Sequence, residues 1–515
     1  MVPEFVNEPL TDFSATANRA ALEAALSRAA NEGTPEHPLV IGGQRIVTDG
    51  WIESLNPARK GESVGRVARA DQARAEAALV ASERAFGEWA RFPADERARV
   101  LLRIAGRLRK RKLDLVATMI REIGKTWVEA DADLAEAIDF CEFYAREMLR
   151  LAAPQPVTTL RGNDTELIYV PLGPGVAIPP WNFPAAIATG LVVSAVVAGN
   201  TVVFKPASLT PIIAAQIFAL FEDAGLPPGV VNYLPGPGES VGDYLVAHPR
   251  LRFVSFTGSK DVGIRIWEEA AKVRPGQKWL KRVVAEMGGK DAIVVDASGD
   301  LDQAAEAIVA SAFGFQGQKC SACSRVIAVA PVYDALVDRV AERTSALRVG
   351  DPADPATQVG PVADAHQFAK VVSYLELGQR EARLVVGGTS DDTTGYFVQP
   401  TVFANVAPAS RLATEEIFGP VLSILKASDF DTALAIANAT EYGLTGGVFA
   451  RDPSKLAQAR REFQVGNLYL NRKITGALVG AEPFGGFNMS GTDAKAGGRD
   501  HLLQFLQAKS ISERF

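Results

Sequence analysis

The chain has 515 residues, 47% hydrophobic and 22% charged, with a net charge of −6. That length exceeds one hydrophobic core and predicts two or three domains, while the acidic balance gives polyphosphate no general attraction and excludes nucleic acid as a partner. Three cysteines, Cys141, Cys320 and Cys323, cannot form a disulfide framework, and a start lacking a basic, apolar leader points to a reducing, cytoplasmic setting.

Residues 16–31 read as a surface helix, with Ala and Leu at helical spacing. A hairpin is expected from 38–47 and Trp51–Leu55, turned at Asp49-Gly50. From 69 to 151 the sequence is helical, broken at Phe92-Pro93-Ala94-Asp95 and Gly124-Lys125. Residues 157–170 are polar and strand-prone, with Asn163-Asp164 at a turn, and read as a projecting arm. No charge occurs from Leu167 to Phe204, but five prolines break the first half of that run. The remaining 15 residues, 185–199, fall short of the about 20 a membrane span needs, so a buried helix is expected and no membrane insertion.

The pattern then becomes the βαβ alternation of a parallel sheet. A strand over 201–204 ends in Lys205-Pro206, and a helix follows over 211–224. Next come a strand at 230–234, Gly236-Pro-Gly238 opening a helix, and a strand at 252–256. Thr257-Gly258-Ser259 leads into a helix over 260–272. A strand, a Gly/Ser turn and a helix N-terminus form a construction that holds phosphate, although Gly236-Pro-Gly238-x-x-Val241 lacks the third glycine of the dinucleotide fingerprint. Strands at 283–286 and 292–295 follow, then a helix from Asp302, the Cys320 loop, a strand pattern at 324–330 and helices at 332–346, 366–378 and 429–437. Pro483-Phe-Gly-Gly-Phe487 and Gly497-Gly498 make a loop approach, and 508–515 can pair as an edge strand.

Three places can carry chemistry. Gly314-Phe-Gln-Gly-Gln-Lys-Cys320-Ser-Ala-Cys323 puts a thiol among glycines and free backbone amides just before a buried strand, with Lys319 beside it to favour the thiolate. From that loop alone, Cys320 is a nucleophile or one more small buried hydrophobe. Glu286 ends an apolar strand with Gly288-Gly289 behind it, which raises its pKa toward that of a general base, unless it is a solvated strand end. In Pro180-Trp181-Asn182-Phe183-Pro184 two prolines hold an amide that suits an oxyanion or is satisfied by its own loop.

Seven stretches recur in the order and spacing of the aldehyde dehydrogenase superfamily: Pro180 to Pro184, Lys205-Pro206, Phe256-Thr-Gly-Ser259, Glu286-Met-Gly-Gly-Lys290, Gly317-Gln-Lys-Cys320, Glu415-Glu-Ile-Phe-Gly-Pro420 and Pro483 to Phe487. Within it the chain resembles the L-glutamate γ-semialdehyde dehydrogenase family in Gly314-Phe-Gln-Gly-Gln-Lys-Cys-Ser, Asn471-Arg-Lys-Ile-Thr-Gly-Ala477 and Glu136-Ala-Ile-Asp-Phe140. The resemblance implies an α/β fold: a Rossmann-type parallel-sheet NAD-binding domain (1–156 and 171–283), an α/β catalytic domain (284–489), and a small β oligomerisation arm with a C-terminal strand (157–170 and 490–515). It also implies a homodimer or a higher homo-oligomer. Cys320 would attack the aldehyde, Asn182 and the Cys320 N–H would hold the oxyanion, and Glu286 would activate water to release the acid, with no metal needed. Lys205 would bind the adenosine ribose, Ser259 the pyrophosphate and Glu416 the nicotinamide ribose, with Trp181 and Phe418 packed on the dinucleotide and Gly236 in its turn. Ser321, Gly476 and Ala477 would take the substrate carboxylate, Glu136 the ammonium, and Phe183 and Phe484 would flank the aliphatic chain.

Two departures from the family pattern matter. Ser208 stands where the family often has a Glu that grips the ribose hydroxyls, so NADP is expected to be accepted beside NAD. Cys323 makes a C-x-x-C with Cys320, but four scattered histidines and no second C-x-x-C argue against zinc. Residue 320 is also too late in the chain for a thioredoxin-like pair. A reversible Cys320–Cys323 disulfide remains as a hypothesis. The rival functions are an oxidase of another small aldehyde, such as succinic semialdehyde, and a non-catalytic binding protein on the same fold.

Overall fold

The computed structural model describes residues 3–515. Its first sheet has seven strands in the order Arg282–Glu286, Phe253–Thr257, Pro174–Ile178, Thr201–Phe204, Val231–Tyr233, Leu39–Ile41 and Gln44–Ile46. The first five are mutually parallel and the last two are added antiparallel. The uncharged stretch resolves as expected: its proline-rich half makes the strand Pro174–Ile178, and its second half makes the helix Ala186–Val197, nearly every residue of which is buried. No helix among the described residues is long and apolar enough to cross a membrane.

A second seven-stranded sheet runs Arg383–Val386, Thr401–Ala404, Val421–Ala427, Arg325–Val329, Ala292–Val295, Thr445–Phe449 and Asn467–Leu470. All its pairings are parallel except that of the edge strand Arg383–Val386. Its central strands Arg325–Val329 and Ala292–Val295 are buried along their whole length, as parallel strands covered by helices on both faces must be.

Several expectations need correction. The hairpin turns at Gly42-Gly43 and pairs Leu39–Ile41 with Gln44–Ile46, not at Asp49-Gly50. Trp51–Leu55 pairs instead with Ser63–Ala68, a strand whose short Ser-Val-Gly-Arg-Val-Ala run gives too little alternation to be seen locally. The helical region has a third break at Arg111, within Lys110-Arg-Lys112, where no Gly or Pro announces it. Asn163-Asp164 opens the strand Asn163–Pro171, which pairs antiparallel over nine residues with Leu506–Arg514. The domain boundary expected at 283/284 cuts the strand Arg282–Glu286, which belongs wholly to the first sheet up to the pair Thr257↔Glu286. Leu502, Phe505 and Leu506 of the C-terminal region are buried in the core around the first sheet, so only the final strand projects as an arm.

Candidate active site

In parallel α/β sheets, ligand groups gather where strands end and helices begin. All five parallel strands of the first sheet follow this rule: Trp181-Asn182-Phe183 lies after Pro174–Ile178, Lys205 after Thr201–Phe204, Gly236 after Val231–Tyr233 and Ser259 after Phe253–Thr257, while Glu286 is the last residue of its strand. The second sheet meets that edge with its strand beginnings, since Cys320 and Ser321 precede Arg325–Val329 and Glu416 and Phe418 precede Val421–Ala427. Residues from both edges line one cavity of about 160 Å³ that reaches Cys320, Ser321, Phe183 and Glu286. One water needs only about 10–15 Å³ by the same measure, so the space takes a small organic molecule.

The segment that presents Cys320 is unusual. Phe315, Gln316 and Gly317 are all left-handed, with φ of 46°, 57° and 68°. Such a conformation costs on the order of 1–3 kcal/mol at a non-glycine residue and persists only where the surroundings enforce it. Here the Gln316 side-chain amide donates to the Gly124 and Pro361 carbonyls (3.1 and 2.7 Å), and the Ala363 N–H donates to Gln318 Oε1 at 2.9 Å. Gly317 must be glycine for a second reason, because a Cβ there would collide with the Gly419 carbonyl. The strain aims a half-buried thiol into the cavity.

The expectation that Lys319 favours the thiolate is not met. Its ammonium pairs with Glu129 at 2.7 Å, and burial, followed by the charges of Asp291, Glu416 and Glu286, pushes the Cys320 thiol well up. The thiol therefore needs a proton acceptor, and Glu286 suits that role. It is buried, accepts the N–H groups of Gly486 and Ala494 at 3.2 and 3.3 Å, and is pushed up to about 8 by its burial. Asn182 is 4% exposed and donates one amide hydrogen to the Gln318 carbonyl at 3.0 Å, which ties its loop to the cysteine turn. Cys323 is buried on the other side, its Sγ turned to the Arg325 carbonyl at 3.3 Å.

Residues expected to hold a dinucleotide surround a cradle on the first sheet. Lys205 is buried, makes no ion pair among the described residues, and is held down to about 8 by desolvation, and its amine makes one long hydrogen bond, to the Pro206 carbonyl at 3.5 Å, which leaves it capacity for a ligand. Gly236 is buried where a Cβ would press on Val241 at 2.9 Å. Ser259 is exposed at the N-cap of the helix Lys260–Ala271, and its side chain caps no backbone N–H there. Ser208 is exposed close to Lys205. Trp181 and Phe418 meet edge to face at 5.4 Å, with Phe418 itself left-handed at φ 60°. Glu416 accepts the Gly289 N–H at 3.0 Å and packs on Gly288, where any side chain would collide with it. An unpaired buried amine, an uncapped helix N-terminus and a fixed carboxylate fit the parts of a nicotinamide dinucleotide.

The far wall of the cavity is the helix Trp127–Ala152. Glu129, Asp133, Glu136, Phe140 and Tyr144 recur at helical spacing along its cavity face. Gly476, Ala477 and Phe484 stand around the same space with Ser321. Glu129 pairs with Lys319 and Asp133 with Lys125 (3.1 Å), but Glu136 has no ion pair or hydrogen bond among the described residues. Burial, then the charge of Asp133, pushes Glu136 up to about 8. Sequence reasoning singled out Glu136 and passed over Lys125, Glu129 and Asp133. Their signal was available: three acids at i, i+4 and i+7 on one stripe of a helix that is otherwise apolar there.

The aldehyde dehydrogenase family matches residues 47–511. Over all 515 residues and the whole of both chains, the sequence is 57% identical to the 1-pyrroline-5-carboxylate dehydrogenase of Geobacillus sp. (strain WCH70). Among solved structures, it is similar to a Thermus 1-pyrroline-5-carboxylate dehydrogenase with bound NAD, at 53% identity, TM-score 0.98 and complete coverage of both chains. The NAD-bound Mycobacterium tuberculosis Δ-pyrroline-5-carboxylate dehydrogenase is 35% identical at TM-score 0.94, over 100% of this chain and 96% of that one. With a thiol, an amide donor and a buried carboxylate at the meeting edges of two sheets, and with matches of this extent, the chain belongs to the aldehyde dehydrogenase family.

Proposed function

We propose that the chain oxidises L-glutamate γ-semialdehyde, the open form of 1-pyrroline-5-carboxylate, to L-glutamate with NAD, the second step of proline degradation. The observation that carries the substrate is the charge balance of the cavity helix. Of the three carboxylates on its cavity face, Glu129 and Asp133 have lysine partners and Glu136 has none, so that face lacks one cation. A substrate ammonium supplies it, while the backbone amides of the Gly476-Ala477 turn and Ser321 suit the neighbouring carboxylate. Succinic semialdehyde has the carboxylate without the ammonium and would leave Glu136 unpaired, which argues against that rival. The names of the relatives support the same reading.

In this mechanism Cys320 attacks the aldehyde carbon while Glu286 takes the thiol proton. The Asn182 amide and the Cys320 N–H hold the developing oxyanion, worth on the order of 10²–10³ in rate for one such donor. Collapse of the oxyanion expels hydride and leaves a thioester on Cys320. Bound NAD supplies the acceptor for that hydride, held by Lys205, Ser259 and Glu416 with Trp181 and Phe418 against it. Once Glu286 has passed the thiol proton to solvent, its carboxylate takes a proton from the water that attacks the thioester, and the C–S bond breaks to release glutamate and the Cys320 sulfur. Without a carboxylate at Ser208 nothing repels a 2′-phosphate, so NADP serves as a poorer second cofactor. Three free thiols suit a cytoplasmic setting, and the ribbon of Asn163–Pro171 and Leu506–Arg514 suits a homo-oligomer.

Steady-state kinetics test the reading. The kcat/KM for L-glutamate γ-semialdehyde is expected to exceed that for succinic semialdehyde and propanal, and Cys320→Ala is expected to bind NAD but form no NADH. Equal efficiency on all three aldehydes would remove the substrate assignment, and an NADP efficiency indistinguishable from zero would remove the dual cofactor.

A further inference from the structure

Lys125 occupies a place that neither packing nor solvation explains. It is 0% exposed, immediately after Gly124 and before the cavity helix. Its ammonium lies over two aromatic rings, 4.1 Å from the centroid of Phe183 and 4.4 Å from that of Phe315. Asp133 approaches at 3.1 Å, off the direction of a hydrogen bond, so charge rather than a directed bond holds this pair. The other Asp133 oxygen accepts the Ala186 N–H at 2.7 Å. Each partner belongs to a different part of the site: Phe183 adjoins Asn182, Phe315 opens the left-handed turn that ends at Cys320, and Asp133 stands on the cavity helix and anchors the start of Ala186–Val197. A methylene chain of the same length would fill the volume but leave both ring faces and a buried carboxylate without their cation.

We propose that Lys125 is a positioning residue: its ammonium, held by Asp133 between the faces of Phe183 and Phe315, locks the loop carrying Asn182 against the turn carrying Cys320. The inference rests on the roles given to Cys320 and Asn182 above. Among the described residues one hydrogen bond joins the two segments directly, from Asn182 to the Gln318 carbonyl, and Trp181 packs on the apolar cluster of Ile123, Phe315 and Ala363; neither contact by itself fixes the orientation of the Asn182 side chain. The clamp adds a further point and so fixes an orientation. The charged groups that face Lys125 are Asp133, Glu129 and Glu136 on the cavity helix and Lys319 on the turn. Burial pulls the ammonium toward its neutral form and Asp133 opposes this, so the clamp depends on that carboxylate.

The test uses the full-length chain with the variants Lys125→Met and Asp133→Asn, assayed on L-glutamate γ-semialdehyde and on propanal, which has neither ammonium nor carboxylate. Lys125→Met is expected to lose about tenfold to a hundredfold in kcat on both aldehydes, the size of effect a misplaced catalytic geometry produces. Each KM should stay within about twofold, and NAD affinity, read by quenching of protein fluorescence, should not change. In Asp133→Asn the unpaired lysine loses its proton as pH rises. The ratio of variant to wild-type kcat on propanal, which does not call on Glu136, is therefore expected to fall as pH rises, a dependence that a packing role cannot give. Wild-type kcat in Lys125→Met would overturn the proposal, as would a loss confined to the amino-bearing aldehyde. If Lys125→Met does not fold, a flat pH ratio for Asp133→Asn overturns it instead. A wild-type chain that oxidises neither aldehyde sinks the enzymatic reading and the clamp together, whereas an active wild type with an unimpaired variant sinks the clamp alone.

Discussion

Glu286 and Glu136 are both pushed up to about 8 by burial, yet the two shifts have opposite consequences for use. In the proposed mechanism Glu286 exchanges a proton with the thiol and then with water, so a pKa near neutrality helps it. Its replacement by Gln is expected to cut kcat by about a hundredfold or more and to slow the first turnover of NADH as well, since the same carboxylate serves the thiol and then the water. Rapid-mixing absorbance measures this, and a fast burst of NADH equal to the enzyme present would confine Glu286 to the hydrolytic step. Glu136, by contrast, must be ionised to hold an ammonium. Below about pH 8 it is protonated in the empty site, so the affinity for L-glutamate should fall as pH falls, by up to about tenfold per unit, while that for glutarate should not. Inhibition constants for the two acids from pH 6 to 9 would reveal it. Glu136→Gln should flatten the glutamate curve, and parallel curves in the wild type would refute the pairing.

The turn at Phe315, Gln316 and Gly317 joins sequence to catalysis most directly among the elements. Its left-handed run is held by side chains from elsewhere, chiefly Gln316, which serves two buried carbonyls. Gln316→Ala orphans both, at a cost of about 1–3 kcal/mol for each group. A lower Tm and an altered rate of Cys320 alkylation by iodoacetamide are expected together, because the same turn carries stability and aim. A drop in Tm with unchanged alkylation would show that the turn holds its shape without that amide. Much of this was legible beforehand: the glycines around Cys320, the two prolines around Asn182 and the apolar strand before Glu286 each announce a constrained backbone. The left-handed Phe315 and Gln316 were not legible, since nothing in either side chain favours that region. Distant carbonyls at 124 and 361 impose it.

For the whole molecule, the two sheets meet with opposite ends, and the site exists only along that seam. Pairing of the first strand of the arm with the last strand of the chain ties residues more than three hundred positions apart and leaves one ribbon standing away from the core. Removal of residues 507–515 is expected to lower the mass of the particle in light scattering, because Asn163–Pro171 then has no strand partner and no edge to offer a second copy. An unchanged mass would remove this ribbon from the proposed homo-oligomer. The local pattern of residues was enough to establish the βαβ alternation and the buried uncharged helix, because periodicity is a property of short stretches, whereas the thiol, amide and carboxylate stayed open locally and were singled out by the order and spacing of seven motifs along the whole chain. Tertiary structure alone decided that Trp51–Leu55 pairs with Ser63–Ala68, that Lys319 serves Glu129 and not the thiol, and that Lys125 lies between two rings. Those outcomes are set by burial and by charges brought together from remote segments, and a charge inside a protein takes whichever partner the fold puts within a few ångströms.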